Sequence, residues 1–252
     1  MCAAAATLSC SRDIAPGQQI CASFSIEAPL SKTLADGASA TELTVSVFDA
    51  NHDFLYSRSA SRTASGWDVE LMLVPGVYSF SFWACSPEAD AFAIDGEYMA
   101  VSYPLMDLSC DAEDAFWAAV PDMEATTSFQ RTINLRRPFA MLEIVTDAFA
   151  QEETAGASAS ITLSGQIPSR LNLLSGEVDL QLGEVAFTPA PLPSETRDGH
   201  AIAASAYVLA PDLNAILCDL SYSVTLSDGR TSAGTVENVP LQRNHLTTLL
   251  DY

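Results

Sequence analysis

A period of two runs through Cys218-Asp219-Leu220-Ser221-Tyr222-Ser223-Val224-Thr225-Leu226. Apolar and polar side chains alternate along this stretch, so the apolar ones lie on one face of a β-strand and the polar ones on the other. Ser227-Asp228-Gly229-Arg230 follows, and residues 231–239 have the pattern of a second strand. Asp-Gly between two strands is typical of a tight hairpin whose central residues both have positive φ. The sequence therefore predicts an antiparallel hairpin with one face against a core.

The same alternation recurs along the chain. Leucine and valine alternate with polar residues at 42–47, and aromatic residues alternate with serines at 78–82. Further strands are predicted at residues 19–27, 53–58, 68–74, 128–135, 139–146, 158–163, 185–188 and 202–209. Because the strands are short and joined by Gly, Pro, Ser and Asp turns, the pattern favours antiparallel β-sandwiches over a parallel sheet, which requires long crossover helices.

Helix is scarce in this pattern. Asp111-Ala112-Glu113-Asp114-Ala115-Phe116-Trp117-Ala118-Ala119 has an acidic first turn and an apolar face, which predicts one short helix. Residues 147–154 are a candidate for a second helix. The sequence therefore predicts a mainly β fold with one or two short helices.

The chain is long enough for two cores. With 252 residues, 48% of them hydrophobic and 17% charged, it divides into two domains more naturally than it packs as one, and it needs no metal to fold. The predicted boundary is Arg136-Arg137-Pro138, because proline interrupts strand pairing and a new apolar run begins at Phe139. The predicted domains are residues 11–136 and 137–252, preceded by a short segment of residues 1–10.

The charge of the chain is strongly negative. Eleven basic and 32 acidic residues give a formal net charge of -21, and Lys32 is the only lysine. Nucleic acid and anionic membrane surfaces are therefore poor partners, since each phosphate contact needs a cation. No basic residue lies between Arg62 and Arg131. This acidic region predicts a soluble, self-repelling surface; divalent cation binding is the alternative, although no Asp-x-Asp-x-Asp-Gly calcium loop is present.

A candidate lipidation site lies at the amino terminus. Residues 1–10 are small or apolar and end at Cys10, which polar residues follow, so they are similar to the end of a bacterial lipoprotein signal. Cys10 would take the lipid at Leu8-Ser9-Cys10-Ser11. A basic first region and a full apolar region are missing, so an alanine-rich terminus without lipid is the alternative. No apolar run reaches the ~20 residues that cross a bilayer, so the lipid would be the anchor.

The other cysteines form no metal or redox motif. Cys21, Cys85, Cys110 and Cys218 include no C-x-x-C pair and have no histidine nearby in sequence, which argues against a zinc or thioredoxin-like site. Cys218 lies on the apolar face of its strand and Cys85 follows another strand, so both are predicted to be buried free thiols. A disulfide within some pair of the four stays open.

Motifs of catalysis are missing from the sequence. It has no G-x-S-x-G elbow, no glycine-rich phosphate loop and no H-E-x-x-H, and its histidines are scattered at His52, His200 and His245. No catalytic residue, metal ligand or cofactor is therefore predicted. Four aromatic residues are candidates for sugar stacking or core packing: Tyr98, Tyr103, Trp117 and Trp83, the last of which follows an inward aromatic series that favours the core.

Several short motifs carry a resemblance to one protein family. They are Gly76-Val77-Tyr78-Ser79-Phe80-Ser81-Phe82-Trp83-Ala84, Asp114-Ala115-Phe116-Trp117, Arg136-Arg137-Pro138-Phe139-Ala140, Arg170-Leu171-Asn172-Leu173-Leu174-Ser175-Gly176-Glu177-Val178 and Val239-Pro240-Leu241-Gln242-Arg243-Asn244. In these motifs the chain resembles the Bacteroidales fimbrillin-like proteins, in particular the minor or anchor-type subunits of their surface fimbriae, which are type V pili. The likeness is closer in the second half than in the first.

The resemblance implies a fold and a function. It implies two transthyretin-like β-sandwich domains, the second of which begins at Arg137 and Pro138. We interpret Arg136, Arg137 and Arg243 as hydrogen-bonding clamps at the domain junction and the chain end. It implies a non-enzymatic anchor, tip or minor subunit that joins other fimbrial subunits by strand exchange and is held at the outer membrane by lipid. Host or bacterial surface ligands would be its adhesion partners.

The resemblance also bears on proteolytic maturation. Polymerising members of the family are cut after an arginine near the amino terminus. Here Arg12 lies too close to Cys10 for such a cut, and Arg58 and Arg62 are the next candidates. An uncut, lipid-held anchor is therefore favoured over a shaft subunit.

A glycan-binding surface lipoprotein with the same sandwich architecture is the alternative function. It would need an exposed aromatic platform surrounded by polar side chains. An enzyme ranks third, since paired carboxylates of the acidic first half would have to face each other across a cleft.

Overall fold

The computed structural model describes residues 18–28, 40–87, 89–106, 108, 114–147, 156–192, 196–197 and 199–251. Most of these residues lie in strands, and no α-helix occurs among them; one turn of 3-10 helix covers Tyr103–Leu105. The predicted mainly β class is thus confirmed. The strands are β1 Ile20–Glu27, β2 Glu42–Phe48, β3 Phe54–Ser61, β4 Trp67–Leu73, β5 Gly76–Cys85, β6 Phe92–Asp95, β7 Tyr98–Val101, β8 Phe116–Ala125, β9 Phe129–Asn134, β10 Phe139–Thr146, β11 Ser158–Asn172, β12 Val178–Ala186, β13 Ala190–Pro191, β14 Thr196–Arg197, β15 His200–Leu209, β16 Ile216–Thr225, β17 Thr231–Leu241 and β18 Leu246–Asp251.

Two sheets from the first half of the chain share one hydrophobic core. Their strand orders are β4-β1-β9 and β3-β2-β5-β8. Inward residues alternate along the strands, and Phe24 of β1 packs against Phe80 and Phe82 of β5 with ring centroids 5.0 and 5.2 Å apart. The aromatic–serine alternation at 78–82 therefore places Phe80 and Phe82 in this core, as the period predicts. The solvent-exposed serine face that it also predicts is wrong, because Ser79 and Ser81 are buried as well.

Two further sheets enclose a second core. One has the order β14-β15-β10-β18; the other has the order β17-β16-β11-β7-β6, and β12 and β13 also pair with β11. Every residue of β10 is buried, so this strand carries no alternation. The predicted hairpin of β16 and β17 is confirmed, but of its two central residues only Gly229 has positive φ, at 87°. Gly229 N donates to Leu226 O at 3.0 Å, so the turn is a wider one than the sequence predicts.

Parallel pairing occurs where the sequence predicts antiparallel sheets. β1 pairs in parallel with β9, and β10 pairs in parallel with β18, while the other described pairings are antiparallel. A parallel pair needs a long connection. In both cases the intervening strands of the same half supply that connection, so no crossover helix is required.

The prediction of a helix at residues 111–119 is wrong for the residues of this range that the structure describes. Phe116–Ala125 forms strand β8, which pairs with β5. Phe116 is buried in the first core and its neighbour Trp117 in the second, so both faces of the strand are covered and the period-two signal is lost. Residues 111–113 and almost all of the second predicted helix, 147–154, lie outside the described residues.

A hairpin from the first half joins the second core. β6 and β7 form this hairpin, and β7 pairs with the end of β11 through Leu171 opposite Met99. Met99 is fully buried in the second core, together with Tyr103, whose hydroxyl donates to Pro168 O and accepts from Leu209 N. The segment between β5 and β8 therefore ties the two halves together. The division at residues 136–137 stays a prediction.

Trp117 lies at the junction of the two halves. Its backbone exchanges hydrogen bonds with Arg136 at 2.8 and 2.9 Å, and its indole N–H donates to Leu173 O at 2.9 Å. Gly176, with φ of 75°, packs so close to the ring that a Cβ there would lie 2.4 Å from a ring carbon. Arg243 donates to Gly176 O at 2.8 Å and to Ala210 O at 2.9 Å, with its guanidinium 5.7 Å from the ring centroid. The segments that carry Trp117, Arg136, Gly176 and Arg243 are distant in sequence and meet at Trp117.

A buried ion pair lies beside this junction. Arg137 donates from Nε to Asp114 Oδ1 at 2.7 Å and from Nη2 to Oδ2 at 2.5 Å, and both side chains are almost fully buried. Asp114 lies just before β8 and Arg137 just before β10, so the bidentate pair holds the starts of these two strands together. Removing one partner of such a pair would leave a buried charge uncompensated. The interpretation of Arg136, Arg137 and Arg243 as clamps at the junction agrees with these contacts.

Substituting Gly176→Ala is predicted to destabilise the fold by about 2–4 kcal/mol, because the new methyl group meets the Trp117 ring and the residue has positive φ. Gly229→Ala is the matched control: its φ is also positive, but no atom lies within 4 Å of the added Cβ, so a loss of about 1 kcal/mol is expected. Urea unfolding measures both. Equal losses in the two variants would contradict the packing of Gly176 on Trp117.

Candidate functional site

Strand β12 presents an open sheet edge. It pairs with β11 along one edge, and no described strand pairs with the other. Its residues from Asp179 to Glu184 are all exposed, including Leu180 and Leu182, and Leu182 is 85% exposed. These two leucines are two positions apart, so they lie on the same side of the strand. Apolar side chains beside unpaired backbone groups make an edge that can accept another strand.

Strand β3 is a second edge, and it is less open. It pairs with β2 and exposes Phe54, Leu55 and Tyr56. Arg58, in the middle of the strand, donates to Glu70 O of β4 at 2.5 Å. This contact bridges from β3 to the neighbouring sheet. β12 is therefore the better candidate for pairing with another chain.

The junction at Trp117 positions the β12 edge. The turn between β11 and β12 follows Asn172, the last residue of β11, whose side-chain oxygen accepts from Leu174 N at 2.9 Å and Ser175 N at 2.8 Å. Glu97, in the β6–β7 turn, accepts from Leu173 N at 2.7 Å through its carbonyl oxygen. Gly176 and Leu173 of the same turn contact Trp117. One set of contacts therefore holds both the β11–β12 hairpin and the β6–β7 hairpin.

A cleft of about 660 Å³ lies on the outer face of the β3-β2-β5-β8 sheet. Its floor includes Thr44 and Ser46 of β2 and Ser57 of β3, and the β6–β7 hairpin contributes Ile94 and Asp95. The lining residues that the structure describes include no lysine, arginine or histidine. The cleft therefore combines hydroxyl groups, apolar surface and one carboxylate.

Trp83 lines this cleft and is also part of the second core. It is 2% exposed and packs against Phe92 and Phe139 with ring centroids 5.4 and 6.4 Å apart, so the prediction of core packing is confirmed. Its buried indole N–H has no hydrogen-bond acceptor within the described residues. A buried donor without an acceptor is uncommon in folded proteins.

Of the other aromatic candidates, Tyr98 is half-buried and Tyr103 is buried. Tyr98 stacks on the guanidinium of Arg170 at 4.1 Å, and Arg170 lies 3.7 Å from Asp179 of β12. Tyr103 is buried, and its burial raises the pKa of the phenol far above the ordinary value. Neither residue lines the described cleft.

The histidines have separate partners. His52 pairs with Asp122 at 2.9 Å, His200 with Asp147 at 2.6 Å, and His245 contacts the carbonyl oxygen of Arg243 at 2.8 Å. In the described ranges, no group of three or more His, Cys, Asp or Glu residues could hold a metal ion. No helix in those ranges has the length and apolar character of a membrane span.

Cys21, Cys85 and Cys218 form no disulfide with one another. Cys218 is buried as predicted, and burial, with a smaller effect of the Asp219 charge, raises its pKa to about 11, so the thiol stays protonated near neutral pH. The prediction of a buried thiol is wrong for Cys85, which is half-buried because it ends strand β5 and lines the cleft. Cys21 is also half-buried. The predicted lipidation site Cys10 and the remaining cysteine Cys110 lie outside the described residues.

The candidate cleavage sites differ in their surroundings. Arg58 lies within strand β3, and Arg62 follows it, with its guanidinium 5.1 Å from the Trp67 ring centroid. Both arginines are therefore held by folded structure. Arg12 lies outside the described residues.

The fold is shared with solved proteins of Bacteroides and Porphyromonas. A candidate adhesin from Bacteroides ovatus matches with a TM-score of 0.58 at 12% identity, over 92% of this chain and 89% of that one. A candidate polysaccharide-binding protein from Bacteroides thetaiotaomicron matches with 0.55 at 14%, over 84% and 78%. The fimbrial anchor protein Mfa2 from Porphyromonas gingivalis matches with 0.52 at 14%, over 87% and 82%. At these identities the likeness shows the fold alone.

Sequence comparison gives a family but no characterised relative. No curated protein matches the chain. The profile of a family of unknown function, DUF6562, matches residues 22–252, and the chain therefore belongs to this family.

Proposed function

We propose that this protein is a non-enzymatic subunit of surface fimbriae, an anchor, tip or minor component that serves adhesion. The fold that it shares with Mfa2 and with candidate adhesins supports the proposal. We propose further that its two hydrophobic cores belong to two transthyretin-like β-sandwich domains, as the fimbrillin-like resemblance implies. The cell surface or the fimbrium would be its location.

The open edge of β12 is the observation that carries the assembly mechanism. A strand from a neighbouring subunit can pair with the unpaired backbone groups of this edge, and alternating apolar side chains on the incoming strand would cover Leu180 and Leu182. Because the Trp117 contacts fix the turn that precedes β12, the edge is held in place before a partner arrives. Preorganisation of this kind lowers the entropy lost on association. Other fimbrial subunits are the proposed partners.

The surroundings of Arg58 and Arg62 favour an anchor that is not cut. A protease requires an accessible, extended segment, whereas Arg58 is hydrogen-bonded within a strand pair and Arg62 packs on Trp67. A lipid on Cys10 would hold such an uncut subunit at the outer membrane. In the proposed anchor, Cys10 attaches the protein to the membrane and β12 pairs with the neighbouring subunit.

A glycan-binding surface protein is the second candidate function. The cleft beside Trp83 favours it, because the cleft combines aromatic and hydroxyl side chains. The likeness in fold to a candidate polysaccharide-binding protein is compatible with this function. Adhesion through a glycan and incorporation into a fimbria do not exclude each other.

Substituting Leu182→Glu is predicted to reduce incorporation of the protein into filaments about tenfold or more, because strand pairing would place a charge in an apolar contact. Folding should be unaffected, since Leu182 is 85% exposed. Leu213→Glu is the matched control: Leu213 is 86% exposed and lies outside the strands, so incorporation should stay normal. Quantitative blotting of purified filaments measures both variants. Normal incorporation of Leu182→Glu would refute pairing at the β12 edge.

Substituting Cys10→Ser is predicted to abolish labelling by an alkyne-bearing palmitate analogue and to release the protein from the membrane fraction, since the thiol that takes the lipid is lost. Cys21→Ser, which removes another thiol of the same chain, should leave both readouts unchanged. Persistent fatty-acid labelling of Cys10→Ser would rule out this anchor.

A further inference from the structure

The cleft beside Trp83 is built from two sheets that belong to different cores. Its floor is the outer face of β2, β3 and β5, and its wall is the β6–β7 hairpin. That hairpin is anchored in the other sheet system, through pairing of β7 with β11. The width of the cleft is therefore determined by the pairing of β7 with β11, which holds the hairpin in place.

The aromatic walls of the cleft are held by packing. Phe92 contacts Trp83 edge to face at 5.4 Å and Phe139 at 5.6 Å, so its ring is fixed from behind. Phe54, on the opposite side, packs against Phe48 at 5.8 Å and remains 47% exposed. A ligand in the cleft would thus meet ring surfaces that are already in position.

The polar groups of the cleft favour a ligand rich in hydroxyl groups. Ser57 and Thr44 can donate or accept hydrogen bonds, and the exposed carboxylate of Asp95 accepts them. The cleft volume of about 660 Å³ lies within the roughly 300–1,000 Å³ of small-molecule sites.

The charge of the cleft excludes anionic ligands. Among the described residues, its lining has a carboxylate and no cationic side chain, and the whole chain has a net charge of -21. Sulfate, phosphate or carboxylate groups on a ligand would be repelled and would find no cation to pair with. A ligand with apolar ring faces and uncharged hydroxyl groups is not repelled and needs no cation.

We infer that this cleft binds a neutral saccharide. The apolar face of a sugar ring packs on Phe54 and Ile94, and its hydroxyl groups bond to Asp95 and Ser57. The inference rests on the proposed location at the cell surface and does not require assembly into a filament. It assigns to this protein an adhesion site that is separate from the β12 edge.

A glycan array tests the inference on the full chain. The array carries neutral, sialylated and sulfated oligosaccharides as separate probes, and signal is expected on neutral probes alone. Phe54→Ala and Asp95→Asn should lower that signal about tenfold. One matched control is Leu55→Ala, since Leu55 is 46% exposed, against 47% for Phe54, and does not line the cleft. The other is Glu184→Gln, which changes an exposed carboxylate on β12. Both control variants should bind as the unaltered chain does.

Cys85 provides a readout that needs no substitution in the cleft. It lines the cleft and is half-buried, so a neutral glycan selected on the array should slow its alkylation, while alkylation of the half-buried Cys21 on β1 should keep its rate. The inference would be overturned by a lack of binding, by binding to anionic probes alone, or by equal binding of all variants. Filament incorporation of Phe54→Ala and Asp95→Asn should stay normal, so a failure of glycan binding would leave the fimbrial proposal standing.

Discussion

The close approach of Gly176 to the Trp117 ring is the contact on which the rest of the structure depends. A side chain at position 176 would occupy the space of the indole, so only glycine permits the turn to pack there. Leu173 and Arg243 then complete the set by hydrogen bonds to Trp117 and to Gly176. Because β8 carries Phe116 in one core and Trp117 in the other, this strand connects the two cores directly.

This junction positions both surfaces to which a role is assigned. The turn that packs on Trp117 leads into β12, whose outer edge is open for pairing. The same turn bonds to Glu97 in the β6–β7 hairpin, which forms one wall of the cleft. The β12 edge and the wall of the cleft are therefore held by the same turn.

Sequence patterns were sufficient for strands with one wet face and insufficient elsewhere. The alternation at 218–226 predicts β16 correctly, since only one of its faces is buried. At Phe116 and Trp117 the sequence predicts a helix instead, because both faces of β8 are covered and the alternation is lost. The cleft could not be predicted, since Ser57 and Asp95 come together only through pairing of β7 with β11. The arginine motifs, by contrast, pointed to the junction, because Arg137 and Arg243 do meet there.

Immunogold electron microscopy of the native cells with an antibody to this chain shows whether the protein is assembled into a surface filament. We expect label on thin filaments, and label at the base would identify the uncut, lipid-held anchor. Label spread evenly over membrane without filaments would contradict assembly and would favour a surface protein whose function lies in the cleft.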